Sequence, residues 1–253
     1  MIGIFDSGSG GLTVLRAIRE QMPSADILYF GDIKNAPYGE KSNAELMMLT
    51  MHAIELLQKR GAKSMVSACN SVSASLAISL FDALSITPDH LIEMVGPTVS
   101  YFKNSPERIL LVATSATIHS EIYQNAFHMI GKDIHTIAIP DLAAAIEFGS
   151  SEEEIERIIR GAFVGVPLDD FDVLILACTH YPLVVDIFKR VLGDTLALFD
   201  PAVGVGERVK RQLWPQEVGE GTMRFIISKD SQTFRDRVAA LTLTQSPVIE
   251  VIE

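Results

Sequence analysis

The sequence predicts an α/β protein of mainly parallel sheets flanked by helices. Two observations predict the α/β class. Short β-branched runs recur through most of the chain, and stretches of helical length and spacing lie between many of them. Strands that alternate with helices imply parallel sheets covered on both faces. A third observation, an echo between two distant segments, suggests two related halves. Met65-Val66-Ser67-Ala68-Cys69-Asn70-Ser71 and Leu174-Ile175-Leu176-Ala177-Cys178-Thr179-His180 are each an apolar strand ending in Ala-Cys, followed by a polar residue and a helix-like segment.

In order, Ile2–Phe5 and Ile27–Phe30 read as strands, with a helix over Gly11–Gln21 between them. A helix over Asn43–Arg60 leads to a strand at Ser64–Ala68 and a helix at Ser71–Leu84. Strands follow at Leu91–Val95 and Arg108–Ala113, then a helix over Thr117–Ile130 and a strand at His135–Ile139. Glu152–Phe163 reads as a helix with an acidic, solvated start, and Val173–Ala177, Ala197–Phe199 and Arg224–Ile227 as strands. Val95–Gly96–Pro97 and Asp200–Pro201–Ala202 look like crossings between lobes.

The 253 residues suffice for a sizeable core, and 48% hydrophobic with 21% charged residues is an ordinary globular balance. The formal charge of −11, without a Lys/Arg cluster, argues against nucleic acid as a partner. The start, MIGIFDSGSGG, lacks the basic and apolar regions of a secretory signal, and the apolar runs are too short to span a bilayer. Two cysteines make no disulfide framework, so a cytoplasmic location is expected, with no membrane partner.

Both cysteines fall at strand-to-helix turns, where open α/β sheets bind ligands. The N–H groups of the following helix are expected to favour a thiolate there. Metal binding needs more ligands than two cysteines supply, and a redox pair is more often Cys-x-x-Cys, which is absent. A Cys–His hydrolase built on Cys178 and His180 and a two-base pair acting on opposite faces of one carbon both stay open. Asp6-Ser7-Gly8-Ser9-Gly10-Gly11 is neither a dinucleotide fingerprint nor a Walker loop, and reads as a tight turn offering N–H groups to a carboxylate. Pro37-Tyr38-Gly39 is a turn signal, and Thr114-Ser115-Ala116-Thr117 supplies hydroxyls after a strand. Asp32 and Glu147 are single acids without a local pattern.

Together these residues resemble the glutamate racemases, within the aspartate/glutamate racemase superfamily. The likeness is strongest between Gly3 and Pro182. It rests on Gly3-Ile4-Phe5-Asp6-Ser7-Gly8, Gly31-Asp32 with Pro37-Tyr38-Gly39, Ala68-Cys69-Asn70, Ala113-Thr114 with Thr117 and Ser120 through Tyr123, Glu147 after Pro140, and Cys178-Thr179-His180-Tyr181-Pro182-Leu183. The resemblance implies two similar lobes, each a mainly parallel sheet flanked by helices, of residues 1–96 plus 205–253 and 97–204, with the active site in the cleft between them. It implies cofactor-independent racemization, with neither cofactor nor metal, supplying D-glutamate for peptidoglycan. Cys69 would take the Cα proton of the D-enantiomer and Cys178 that of the L-enantiomer, with Asp6 assisting the first and His180 the second. Ser7, Pro37, Tyr38, Gly39, Asn70, Ser71, Thr114, Thr117 and Thr179 would hold the substrate, with Asp32 and Glu147 in support. The implied partner is a small amino acid, and a homodimer is the one assembly it raises.

The chain departs from the family pattern at Ser71 (commonly Thr), Val72 (Ala), Ala177 (Gly), Ile139 (Cys), and Ile33-Lys34-Asn35-Ala36 between Asp32 and Pro37. Lys34 is expected to alter charge near the entrance. These departures bear on substrate more than on reaction, and aspartate stays open beside glutamate. Relatives acting on aspartate tend to carry an acid near the second cysteine, and His180 favours glutamate. A non-catalytic binding protein on this fold is the remaining alternative.

Overall fold

The computed structural model describes residues 1–73, 87–242 and 248–252. Among them, parallel strands form two sheets. The six-stranded sheet has the order β10-β9-β2-β1-β3-β4, from β1 (Ile2–Asp6), β2 (Ile27–Gly31), β3 (Ser64–Ser67), β4 (Leu91–Ile92), β9 (Met223–Ile227) and β10 (Ile249–Val251). The four-stranded sheet has the order β6-β5-β7-β8, from β5 (Ile109–Ala113), β6 (His135–Ala138), β7 (Val173–Leu176) and β8 (Ala197–Phe199).

The apolar runs are nearly continuous because both faces of each sheet are buried. Ile2, Ile4, Ile27 and Tyr29 enter one core of the larger sheet, while Phe5, Leu28 and Phe30 enter the core on its other face. Leu110, Val112, Leu174 and Leu176 divide in the same way from Ile109, Leu111, Val173 and Ile175 in the smaller sheet. Period-two alternation thus sorts apolar residues between two cores rather than between core and water.

Helix starts follow the capping chemistry of the sequence. Ser42 and Glu45 form a reciprocal capping box on α2 (Asn43–Lys59), which follows α1 (Leu12–Gln21). α3 is described over Asn70–Ser73; the rest of the helix expected to Leu84 lies outside the described residues. α4 (Val95–Phe102) corrects the strand expected over Leu91–Val95: pairing stops at Ile92, and Glu93 caps the helix by accepting from the N–H groups of Val95 and Gly96. The helix expected over Thr117–Ile130 is two pieces, α5 (Ser115–His119) and α6 (Ile122–His128), interrupted at Glu121 with φ of 54°. The Ser120 hydroxyl donates to the Thr117 carbonyl at 2.7 Å, replacing helical bonding at the break.

The remaining helices are α7 (Leu142–Glu147), α8 (Glu152–Ala162), α9 (Val185–Leu192), α10 (Ala202–Leu213) and α11 (Gln232–Thr242). The chain crosses from one sheet to the other twice. After β4 it enters α4, whose Val95, Val99 and Phe102 pack under the smaller sheet. After β8 it enters α10, whose Ala202, Val205 and Val209 return to the core of the larger sheet. No helix among the described residues is long and apolar enough to cross a membrane.

Candidate active site

The carboxyl ends of β1, β3, β5 and β7 meet where the two sheets face each other. They deliver Asp6, Cys69, Thr114 and Cys178, so residues far apart in sequence converge because parallel strands all end on one side. A narrow cavity of about 10 Å³ lies there, room for about one water. Its wall includes Ser7, Pro37, Tyr38, Gly39, Cys69, Asn70 and Ser71 from the larger-sheet side, and Thr114, Glu147, Cys178, Thr179 and His180 from the other. Both thiols are free and buried, and both line this one cavity.

Around Cys178 the groups form a chain. His180 Nδ1 lies 3.9 Å from Cys178 Sγ, and its Nε2 lies 2.7 Å from Glu147 Oε2. Glu147 also accepts from the Ser9 N–H at 3.0 Å and from the Ser9 hydroxyl. Burial works against the charged imidazole, but its bonds to Cys178 and Glu147 outweigh that and push His180 up to about 10. Burial likewise opposes the Glu147 carboxylate; the donors His180 and Ser9 prevail and hold it below its ordinary value. The pair is therefore an imidazolium–carboxylate at neutral pH.

Around Cys69 the electrostatics run the other way. Burial, then the negative potential of Asp6 and Cys178, raise the Cys69 thiol, and the N–H groups of Val72 and Ser71 offset only part of this. The thiolate expected from the helix N-terminus is thus overridden by desolvation, and Cys69 rests as a thiol. Burial also raises Asp6, with His180 opposing it. Asp6 accepts from the Gly8 N–H at 2.9 Å and from the Thr179 hydroxyl at 3.1 Å, so it ties the two lobes together beside the cavity.

The hydroxyls form a second cluster across the cleft: Ser71 and Thr114 Oγ atoms are 2.9 Å apart, and Thr114 and Thr117 Oγ1 atoms 3.1 Å. The Tyr123 hydroxyl donates to Asn70 Oδ1 at 2.6 Å, leaving the buried Asn70 Nδ2 without a partner. The Tyr38 hydroxyl donates to Asp32 at 2.6 Å, and Asp32 also accepts from Asn35 and Ser228. Burial and then Asp32 raise Tyr38, which stays a neutral phenol.

Of the residues expected from sequence, Asp6, Asp32 and Thr117 are not among those lining the cavity. The structure puts Asp32 behind Tyr38 and Thr117 behind Thr114. Lys34 lines a separate groove with Ser228, Lys229 and Asp230, away from the cavity wall. Sequence reasoning missed Ala36 and Ala143 in the wall, Ser9 on Glu147, and Arg237, which bonds to Ser9 and Glu147. Ser9 sat inside a motif already singled out; Arg237 carried no local signal. Among the described residues no group of three or more His, Cys, Asp or Glu is set to hold a metal ion.

Two glycines let the first loop approach the other lobe. A Cβ at Gly8 would stand 2.7 Å from the Glu147 carboxyl, and one at Gly10 would stand 2.6 Å from His180 Nδ1 and Thr179 Oγ1. Gly10→Ala is expected to displace His180, cost about 1–3 kcal/mol of stability by overpacking and abolish most turnover. Thermal unfolding and an activity assay check both; a fully active Ala variant would refute the tight fit.

Comparison with known proteins finds relatives of the whole chain. The Asp/Glu/hydantoin racemase family matches residues 9–203. A glutamate racemase from Clostridium perfringens is 35% identical over 216 residues, spanning 84% of this chain and 82% of that protein. The crystal structure of a glutamate racemase isoform from Bacillus anthracis superposes with a TM-score of 0.87 at 29% identity, over 100% of this chain and 97% of that one. The glutamate racemase from Francisella tularensis, solved in complex with D-glutamate, also gives 0.87, at 26% identity over 100% and 97%.

Proposed function

The chain belongs to the Asp/Glu/hydantoin racemase family, and on that premise we propose that it interconverts L- and D-glutamate by a two-thiol, two-base mechanism. One observation carries the proposal: Cys69 and Cys178, from different sheets, line one narrow cavity. Glutamate as the substrate is supported by the relatives, which are glutamate racemases by name. The family's role of supplying D-glutamate to peptidoglycan belongs to the same reading, as does a cytoplasmic location.

In the L-to-D direction the Cys178 thiolate removes the Cα proton, and the Cys69 thiol delivers its own proton to the opposite face. One inversion leaves Cys178 as thiol and Cys69 as thiolate, and the starting state returns when Cys178 gives up a proton and Cys69 takes one up. A resting Cys69 thiol suits this direction. Asp6 is a hydrogen-bond and proton partner near Cys69, since its negative charge disfavours the thiolate. The His180 imidazolium is placed to exchange a proton with Cys178 and to balance charge there. The unpartnered Asn70 Nδ2 and the hydroxyls of Ser7, Ser71, Thr114 and Thr179 are suited to carboxylate oxygens. Closure expels water from these contacts and strengthens them. Because the cavity holds about one water, an amino acid enters only when the walls part.

The Cys178–His180 contact also suits a Cys–His hydrolase. That reading gives Cys69 no role and predicts hydrolysis that survives its loss. The test is incubation with L- and D-glutamate, and separately aspartate, in D₂O without pyridoxal phosphate, following the Cα proton by NMR together with optical rotation. Deuteration with inversion of glutamate is expected. Exchange confined to another amino acid would replace the substrate, and no exchange from folded protein would overturn the racemase reading.

A further inference from the structure

Arg237 lies outside the cavity wall, yet it touches the pair that serves Cys178. From α11 its Nη1 bonds to the Ser9 hydroxyl and stands 3.4 Å from Glu147 Oε2, while Nη2 donates to the Ile146 carbonyl at 2.7 Å. Glu147 Oε2 is the same oxygen that meets His180 Nε2. The carboxylate is therefore divided between two cations. Glu147 is otherwise bonded to Ser9, and its second oxygen has no partner.

This arrangement has a cost that calls for a function. Burial lowers the Arg237 guanidinium from its ordinary value, with Glu147 and Tyr29 opposing that effect. A guanidinium placed there for packing alone gains little from such a site. Electrostatically it limits how firmly Glu147 holds the proton on His180: a second cation on the same oxygen weakens the first ion pair. The other groups facing His180 are Cys178 and Asp6. Across an open groove of about 650 Å³, Arg237 also shares walls with Arg16, Arg19 and Glu20 of α1, so these charges bear on the same balance.

We propose that Arg237 is a positioning residue for the racemization proposed above, a counterweight that shares the Glu147 carboxylate so that His180 exchanges its proton with Cys178 during turnover. It touches neither the cavity nor a thiol, and acts through Glu147.

The test compares Arg237→Gln and Arg237→Lys with the parent chain. Gln keeps a donor without the charge; Lys keeps the charge. The His180 ring carbon is followed by NMR titration from neutral pH upward, with turnover measured on the same samples. In Arg237→Gln the His180 titration is expected to move up by about one unit, because the competing cation is gone. Turnover should fall about tenfold as the imidazole holds its proton too firmly. Arg237→Lys should bring both back toward the parent values. An unmoved or lowered His180 titration in Arg237→Gln would overturn the role, whatever the activity, as would equal turnover loss in both variants. The titration needs no substrate. Failure of the parent chain to racemize any amino acid would instead overturn the racemase reading.

Discussion

Cys69→Ala and Cys178→Ala are each expected to abolish inversion, with a loss on the order of 10⁴-fold or more, since every turnover needs both thiols. The two variants should differ in what survives. A chain keeping Cys69 retains a base only on the face from which the D-enantiomer's proton leaves, so any residual Cα deuteration without inversion belongs to D-glutamate. A chain keeping Cys178 shows the reverse. The fold should tolerate both changes, because each removes a single sulfur atom from a small side chain that borders the cavity. NMR exchange beside optical rotation reads both quantities. Full inversion by either single variant would end the two-thiol mechanism, and exchange on the opposite enantiomers would swap the assigned roles.

Glu147→Gln is expected to lower turnover by about 10²-fold and to change how stability depends on pH. The amide keeps the shape and an acceptor oxygen for Ser9, Arg237 and His180, but it removes the charge that fixes the imidazolium, and its NH₂ takes the place of the unpartnered Oε1. The sign of the pH effect follows from the two shifts. His180 is raised from 6.5 to about 10, so its contribution to stability is complete below pH 6.5 and is lost as pH rises through about 10. Glu147 is lowered from 4.5, so its contribution is complete above pH 4.5 and is lost as pH falls through the lowered value. The variant should therefore trail the parent most between pH 4.5 and 6.5, with the gap closing toward pH 10. Thermal unfolding across that range measures it. A gap independent of pH would mean that the pair is not ionized.

Much of this was legible in the chain. The alternation of apolar runs and helical stretches located most strands to within a residue or two, because burial on both sheet faces demands unbroken runs such as Ile109–Ala113 and Val173–Leu176. Strand β10, three residues at a sheet edge, was not expected from the sequence, although β8, equally short and at the edge of the other sheet, was. The strand expected to run through Val95 failed because β-branching does not decide between a strand and a helix that Glu93 caps. The paired Ala-Cys turns and the loop from Asp6 to Gly11 marked the site because parallel strands must release their chemistry at one end.

By itself, then, the sequence determined the class of fold, the strand ends that carry the two thiols, and the family resemblance through which a racemase could be expected. Only the tertiary structure decided that both thiols face one cavity, that desolvation keeps Cys69 protonated against its helix N-terminus, and that Arg237 shares Glu147 with His180. The reason is physical. Periodicity and capping are local and can be read along a chain, whereas burial, charge pairing and hydrogen-bond competition depend on distances between residues far apart in it, 33 positions for Glu147 and His180 and 90 for Glu147 and Arg237, and exist only once the chain has folded.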